Sequence, residues 1–153
     1  MLCGPLSGQA RNKKVNNHIL YEMPMTSLVA YDGMEHTEKA LEYAIQHSKV
    51  YKEHLYILSM ITSKDELDTE VEMEKVNAYM DKALKKATAE GADAQVILES
   101  GTPAKGILDA AERFGADTVI VGRSDKTLFD RAVLGSVSDQ VVRSAKCVVI
   151  VVQ

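Results

Sequence analysis

The chain has 153 residues, enough for one domain with a real core, and its 46% apolar and 26% charged residues are those of an ordinary globular protein. A formal net charge of −4 argues against an electrostatic binder of DNA or RNA. No apolar run is long enough to span a bilayer, no signal-peptide core opens the chain, and the two cysteines, Cys3 and Cys147, lack C-x-x-C spacing, so a reduced, cytoplasmic protein is expected, away from any membrane.

Residues 1–24 read as a leader. Gly4, Gly8, Asn12, Asn16 and Asn17 suggest an extended arm with low intrinsic structure, anchored by the apolar patch Ile19-Leu20-Tyr21. The domain proper is placed at 25–153. Ser27-Leu28-Val29-Ala30-Tyr31 predicts the first core strand, ended by Asp32-Gly33. From His36 the pattern turns helical, with Ala40, Tyr43, Ala44, His47 and Val50 or Tyr51 expected on the inward face. Leu55 to Ile61 predicts a second strand. Ser63 to Ala89 predicts a long amphipathic helix with Val76, Tyr79, Met80, Ala83, Leu84 and Ala87 as its stripe. Its acid-rich opening and its late Lys82, Lys85 and Lys86 suit the helix dipole, and Gly91 stops it.

Ala94 to Leu98 predicts the third strand. Thr102 as N-cap with Pro103 at the first helical position predicts a helix to Phe114, closed by Gly115. Asp117 to Val121 predicts strand four, Ser136 to Ser144 a helix and Cys147 to Val152 strand five. Strands alternating with helices at this spacing imply right-handed crossovers and a parallel sheet with helices on both faces. Near-continuous apolar strands fit burial on both sides. The fold class is therefore α/β, Rossmann-like, with an open parallel sheet.

Three strand ends carry polar or glycine residues. Val121-Gly122 closes an apolar run, Arg123-Ser124-Asp125 begins a polar loop, and Gly135-Ser136 opens a segment with helical spacing at Val137, Val141 and Val142. In open α/β sheets small ligands lodge outside the carboxyl ends of the strands. Glycine there admits close backbone N–H groups, and a helix N-terminus favours phosphate. A plain strand-to-helix turn with a Ser N-cap accounts for the same pair with no ligand. Asp32 can accept from a ribose or base edge, or cap the following helix; the residue types leave both open. No P-loop, G-x-G-x-x-G or G-x-S-x-G motif is present, and no residue marks a catalytic base or nucleophile. The four histidines show no ligand spacing, and His47 reads as a satisfied core residue, not a metal ligand.

Residues 28–41, Leu-Val-Ala-Tyr-Asp-Gly-Met-Glu-His-Thr-Glu-Lys-Ala-Leu, resemble the opening of a universal stress protein domain. So do Gly101-Thr102-Pro103-Ala104 before a helix and Gly115-Ala116-Asp117 before the fourth strand. Gly122 through Ser136 resembles the family's nucleotide motif, G-x2-G-x9-G-[ST]. The resemblance covers residues 26–153 and implies a five-stranded parallel sheet in the order 3-2-1-4-5, often paired into dimers through strand five. It further implies ATP with Mg²⁺, adenine and ribose lying near the first-strand Asp and the end of strand two, and phosphates in the glycine loop. Carried over by position, the binding residues are Ala30, Tyr31, Asp32, Met60, Val121, Gly122, Arg123, Asp125, Gly135, Ser136, Val137 and Ser138.

One motif position departs from the pattern. The second glycine of G-x2-G is Asp125, which sets a carboxylate where a polyphosphate should approach. Two unit charges about 4 Å apart repel by about 4 kcal/mol at an effective dielectric of about 20. A tenfold affinity change needs only about 1.4 kcal/mol, so Asp125 alone is enough to abolish ATP binding unless Arg123, Lys126 or Mg²⁺ offsets it. The expectation is a stress-response regulator with an adenine-nucleotide cleft and at most slow ATP hydrolysis. The rival is a dimeric regulator that binds partner proteins and no nucleotide. An enzyme or phospho-receiver domain ranks last, because Leu98 is followed by Glu99-Ser100-Gly101 and not by a phospho-accepting Asp. Homodimer contacts are expected at Val148, Ile150 and Val152, on an edge strand without Pro, Lys or Glu to blunt it, unless the leader folds back over it.

Overall fold

The computed structural model describes residues 11–15, 18–22, 25–123 and 137–153, with backbone alone for 11–22. The leader carries two short strands, β1 (Arg11–Val15) and β2 (His18–Glu22), paired antiparallel with Arg11 opposite Glu22. This corrects the reading of the leader as an arm of low intrinsic structure. Val15, Ile19 and Tyr21 favour strand, and turn-prone Asn-Asn separates the two runs in the sequence.

The remaining elements alternate: β3 (Thr26–Ala30), α1 (Glu35–Tyr51), β4 (His54–Ile61), α2 (Glu66–Ala89), β5 (Asp93–Ser100), α3 (Pro103–Phe114), β6 (Thr118–Gly122), α4 (Val137–Ser144) and β7 (Val148–Val152). β3 to β7 form one sheet in the order β5-β4-β3-β6-β7, all parallel. Counted along the domain this is 3-2-1-4-5, the expected topology. Helices cover both faces. α1 and α2 pack with Val29, Ile57 and Ile120, while α3 and α4 pack with Leu28, Leu58, Val119 and Val121. Successive residues of one strand thus feed opposite cores, which is why these strands read as unbroken apolar runs.

α1 departs from the expected helix face. Thr37, Ala40, Leu41, Ala44, Ile45 and Ser48 are buried, whereas Tyr43, Val50 and Tyr51 are exposed. Leu41 and Ile45 fill the sheet side, and small Ala40 and Ala44 let the helix lie close to it. The rings instead stack along one flank at i, i+4 spacing, with centroids 5.8 Å apart for Tyr43–His47 and 4.6 Å for His47–Tyr51. His47 Nδ1 lies 3.2 Å from Oε2 of buried Glu53, so the imidazole has a protein partner. The other flank faces α2, where Lys86 bridges to Glu38 and Glu42 and Gln46 Nε2 donates to Glu90.

The other helices follow their patterns. α2 buries Val76, Met80, Ala83 and Ala87, and its cap is Asp65, which accepts from the Leu67 N–H at 3.0 Å. Thr102 has the extended backbone of an N-cap before Pro103, yet its side chain makes no capping hydrogen bond. Gly115 closes α3 at φ 64°, the left-handed geometry glycine suits. Cys147 precedes β7 half-buried; burial, then the charge of Asp117, pushes its thiol up.

Candidate functional site

A cavity of about 430 Å³ opens at the carboxyl ends of β3, β4 and β6, within the range of roughly 300–1,000 Å³ usual for small-molecule sites. Ala30, Leu58 and Val121 line it from the strands. His36 and Thr37 of α1, Pro103 and Ile107 of α3, and Val137 and Ser138 of α4 line it from three helix starts. The helix dipole makes such helix starts favourable for anions.

Asp32 follows β3 and shapes the entry into α1. Its Oδ1 accepts from Thr37 Oγ1 at 2.6 Å and from the Met34 N–H at 3.0 Å. Among the described residues Oδ2 accepts no hydrogen bond, so one oxygen closes the turn and the other remains for a ligand. Asp32 does not cap α1, whose N-cap is Met34 without a side-chain cap bond; it closes the turn before the helix instead. Gly33 adopts φ 79°, and a Cβ there would meet the Tyr79 ring at 3.1 Å.

Behind Asp32, Tyr31 Oη donates to Glu38 Oε2 at 2.6 Å, and Lys86 Nζ reaches Glu38 Oε1 at 2.7 Å. Burial, then the carboxylate of Glu38, holds the Tyr31 phenol well above its ordinary value. Burial works against ionised Glu38, but the bonds from Lys86 and Tyr31 outweigh it, and the net shift is downward. Tyr79 meets Tyr31 edge to face, with centroids 5.6 Å apart, and its hydroxyl lies 2.7 Å from Ser59 Oγ. These contacts fix α2 as the outer wall.

Glu72 fastens the same helix to the connection after β4. Its Oε1 accepts from the Thr62 N–H at 3.0 Å and Oγ1 at 3.1 Å, and its Oε2 accepts from the Ser63 N–H at 2.8 Å. The bonds from Ser63 and Thr62 lower its pKa to about 2.

One glycine, Gly122, is required by packing before any ligand is considered, and Gly106 faces only the movable end of a side chain. A Cβ on Gly122 would lie 2.3 Å from the His36 carbonyl oxygen, and one on Gly106 would lie 2.3 Å from Met60 Cε. Gly122 lets the start of α1 approach β6, and Gly106 makes room for Met60 at the cavity wall. Among the described residues no three His, Cys, Asp or Glu side chains gather as a metal site.

The sequence model of the universal stress protein family matches residues 23–153. The chain belongs to the universal stress protein family. It is 30% identical over 144 residues to a universal stress protein of Bacillus subtilis, covering 82% of this chain and 97% of the relative. A universal stress protein of Methanocaldococcus jannaschii is 27% identical over 136 residues, covering 82% of this chain and 80% of the relative. Among solved structures, a universal stress protein in complex with cAMP superposes with a TM-score of 0.75 at 26% identity, covering 84% of this chain and 97% of the other.

In this universal stress protein Ala30, Tyr31, Asp32, Met60, Val121, Gly122, Val137 and Ser138 line one cavity. Arg123 is exposed just beyond it, with its N–H donating to the Val152 carbonyl at 2.8 Å. Asp125, Gly135 and Ser136 lie outside the described residues. Sequence reasoning missed the α2 wall of Glu72, Lys75, Val76 and Tyr79, of which Val76 and Tyr79 read only as part of the helix stripe. A usable signal existed. A helix leaving the carboxyl end of a central strand starts at the cleft end of the sheet, so its first turns border the cleft. At the sheet edge, Val148 is 60% exposed, whereas Ile150 and Val152 are half-buried against the core under α1 and α2. No described helix is long and apolar enough to cross a membrane.

Proposed function

We propose that this universal stress protein is a cytoplasmic stress-response regulator whose cleft binds an adenine nucleotide. The observation that supports it most is the gathering of Asp32, Met60, Val121, Gly122 and Ser138 around one cavity at the strand ends. In this reading the ribose donates to Asp32 Oδ2, the base lies against Met60 and Val121, and the phosphates run toward Gly122 and the start of α4. ATP with Mg²⁺ is the ligand the motif suggests, and Asp125 opposes its polyphosphate. The complex of a 26% identical relative with cAMP supports an adenine ligand in such a cleft. Asp125→Gly tests the phosphate side. ATP affinity should rise, while AMP and adenosine affinities stay unchanged in titration calorimetry. Equal ATP affinities in the two proteins would remove Asp125 as a determinant.

We place a second copy of the chain on β7. In support, Val148 and Val151 are 60% and 37% exposed on an edge strand that carries no charge or proline. Pairing about a two-fold axis satisfies both edges at once. The same edge serves the second reading, a dimeric regulator that binds partner proteins without nucleotide.

A further inference from the structure

Four residues of α2 line the cavity, Glu72, Lys75, Val76 and Tyr79, and spacings of three and four put them on one helical face. Three of them are engaged elsewhere. Val76 is buried in the core, Tyr79 is bonded to Ser59, and both oxygens of Glu72 hold the Thr62-Ser63 connection. Lys75 is different. Among the described residues its ammonium has neither an ion pair nor a hydrogen bond. Glu72 stands one turn before it, the usual place for a pairing carboxylate, but both its oxygens are engaged by the Thr62-Ser63 connection. The clasp therefore does two things: it pins α2 over the cleft, and it turns the carboxylate of Glu72 toward the Thr62-Ser63 connection, with no hydrogen bond to the ammonium of Lys75. Lys105 and Lys85 on other exposed helix faces pair with Asp109 and Asp81 at i, i+4. Lys75 has no such neighbour, because Tyr79 occupies i+4 and Val71 occupies i−4.

We propose that Lys75 is the anion-binding residue of the cleft's α2 wall, meeting the phosphate of a bound nucleotide from the α2 side of the cavity. This rests on the nucleotide reading above. It is a specificity determinant, since it separates a nucleotide from its nucleoside: the cavity's remaining described lining is mostly apolar and takes the base and sugar of either. The residue lies outside the glycine motif, on a helix the motif does not include.

Adenosine and AMP titrated into wild type, Lys75→Ala and Lys75→Arg test it. Lys75 is exposed, so each variant should retain the wild-type thermal melt. Wild type should prefer AMP to adenosine. Lys75→Ala should lose about fivefold in AMP affinity, as for an exposed ion pair, with adenosine unchanged. Lys75→Arg should restore most of the loss, and the difference should shrink at high salt. Equal AMP affinities in wild type and Lys75→Ala, with adenosine still bound, would overturn the role of Lys75 and leave the nucleotide cleft standing. Failure of wild type to bind either ligand would overturn both.

Discussion

β6 and β7 run side by side in register, Ile120 beside Ile150 and Val121 beside Val151, with almost the same apolar composition. Their surroundings differ. Val119, Ile120 and Val121 are buried, whereas Val148 and Val151 are exposed and Ile150 is only half-buried. β6 is apolar because it has strands on both edges and helices on both faces. Among the described residues β7 has one strand neighbour, so its composition exceeds what its described surroundings require. At the tip of β6 the same logic acts in reverse: Gly122 looks like part of a ligand loop, yet the first need for it is the close approach of His36. Apolar content and glycine thus each have an internal reason in this strand pair: burial on both faces for β6, and the close approach of α1 for Gly122.

The largest expected difference lies between the paired isoleucines. Ile120→Ala should destabilise the domain by about 4 kcal/mol in denaturant unfolding, because the site is closed on all sides. Ile150→Ala should cost only about 1 kcal/mol, in keeping with its partial burial. Equal losses would mean that β7 is as enclosed as β6 in solution. Gly122→Ala should cost about 2 kcal/mol, because its methyl group must displace the His36 carbonyl. An unchanged midpoint would return Gly122 to a purely ligand-binding role. Val148→Lys should leave monomer stability within about 0.5 kcal/mol and convert dimer to monomer in light scattering. A wild type that is already monomeric at micromolar concentration would remove the second copy from the edge.

The smallest effect concerns Glu72. Its folded pKa of about 2 lies below the ordinary carboxylate value, so its stabilising contribution is complete above about pH 4.5 and is lost as pH falls toward 2. Solvent screening limits it to roughly 1 kcal/mol. Glu72→Gln should therefore be less stable than wild type near neutrality and indistinguishable from it at about pH 2. A constant difference across that range would exclude titration of Glu72 as its source.

The alternation of strands and helices was legible in the sequence because both periods are long and clean, and α3 starts at Pro103 and closes at Gly115 where expected. The inward face of α1 was misread for a physical reason. Ala40 and Ala44 are buried as expected, but pattern reasoning ranks Tyr43 and Tyr51 with core residues, whereas a helix seated on the sheet buries Leu41 and Ile45 beside those alanines. The hairpin of β1 and β2 was hidden by a polar composition that also suits an unstructured arm. The strand-end half of the site was legible from Asp32, Val121 and Gly122. The α2 half was not, since Lys75 and Glu72 sit among many acidic and basic residues and differ from them only in what they touch.

Equilibrium dialysis of radiolabelled AMP against the purified protein, stripped of any bound nucleotide, tests the central claim most directly. A cleft that binds adenine nucleotide gives saturable binding at one site per chain, competed by unlabelled adenosine. No saturable binding would contradict it and leave the dimeric, nucleotide-free regulator as the reading that stands.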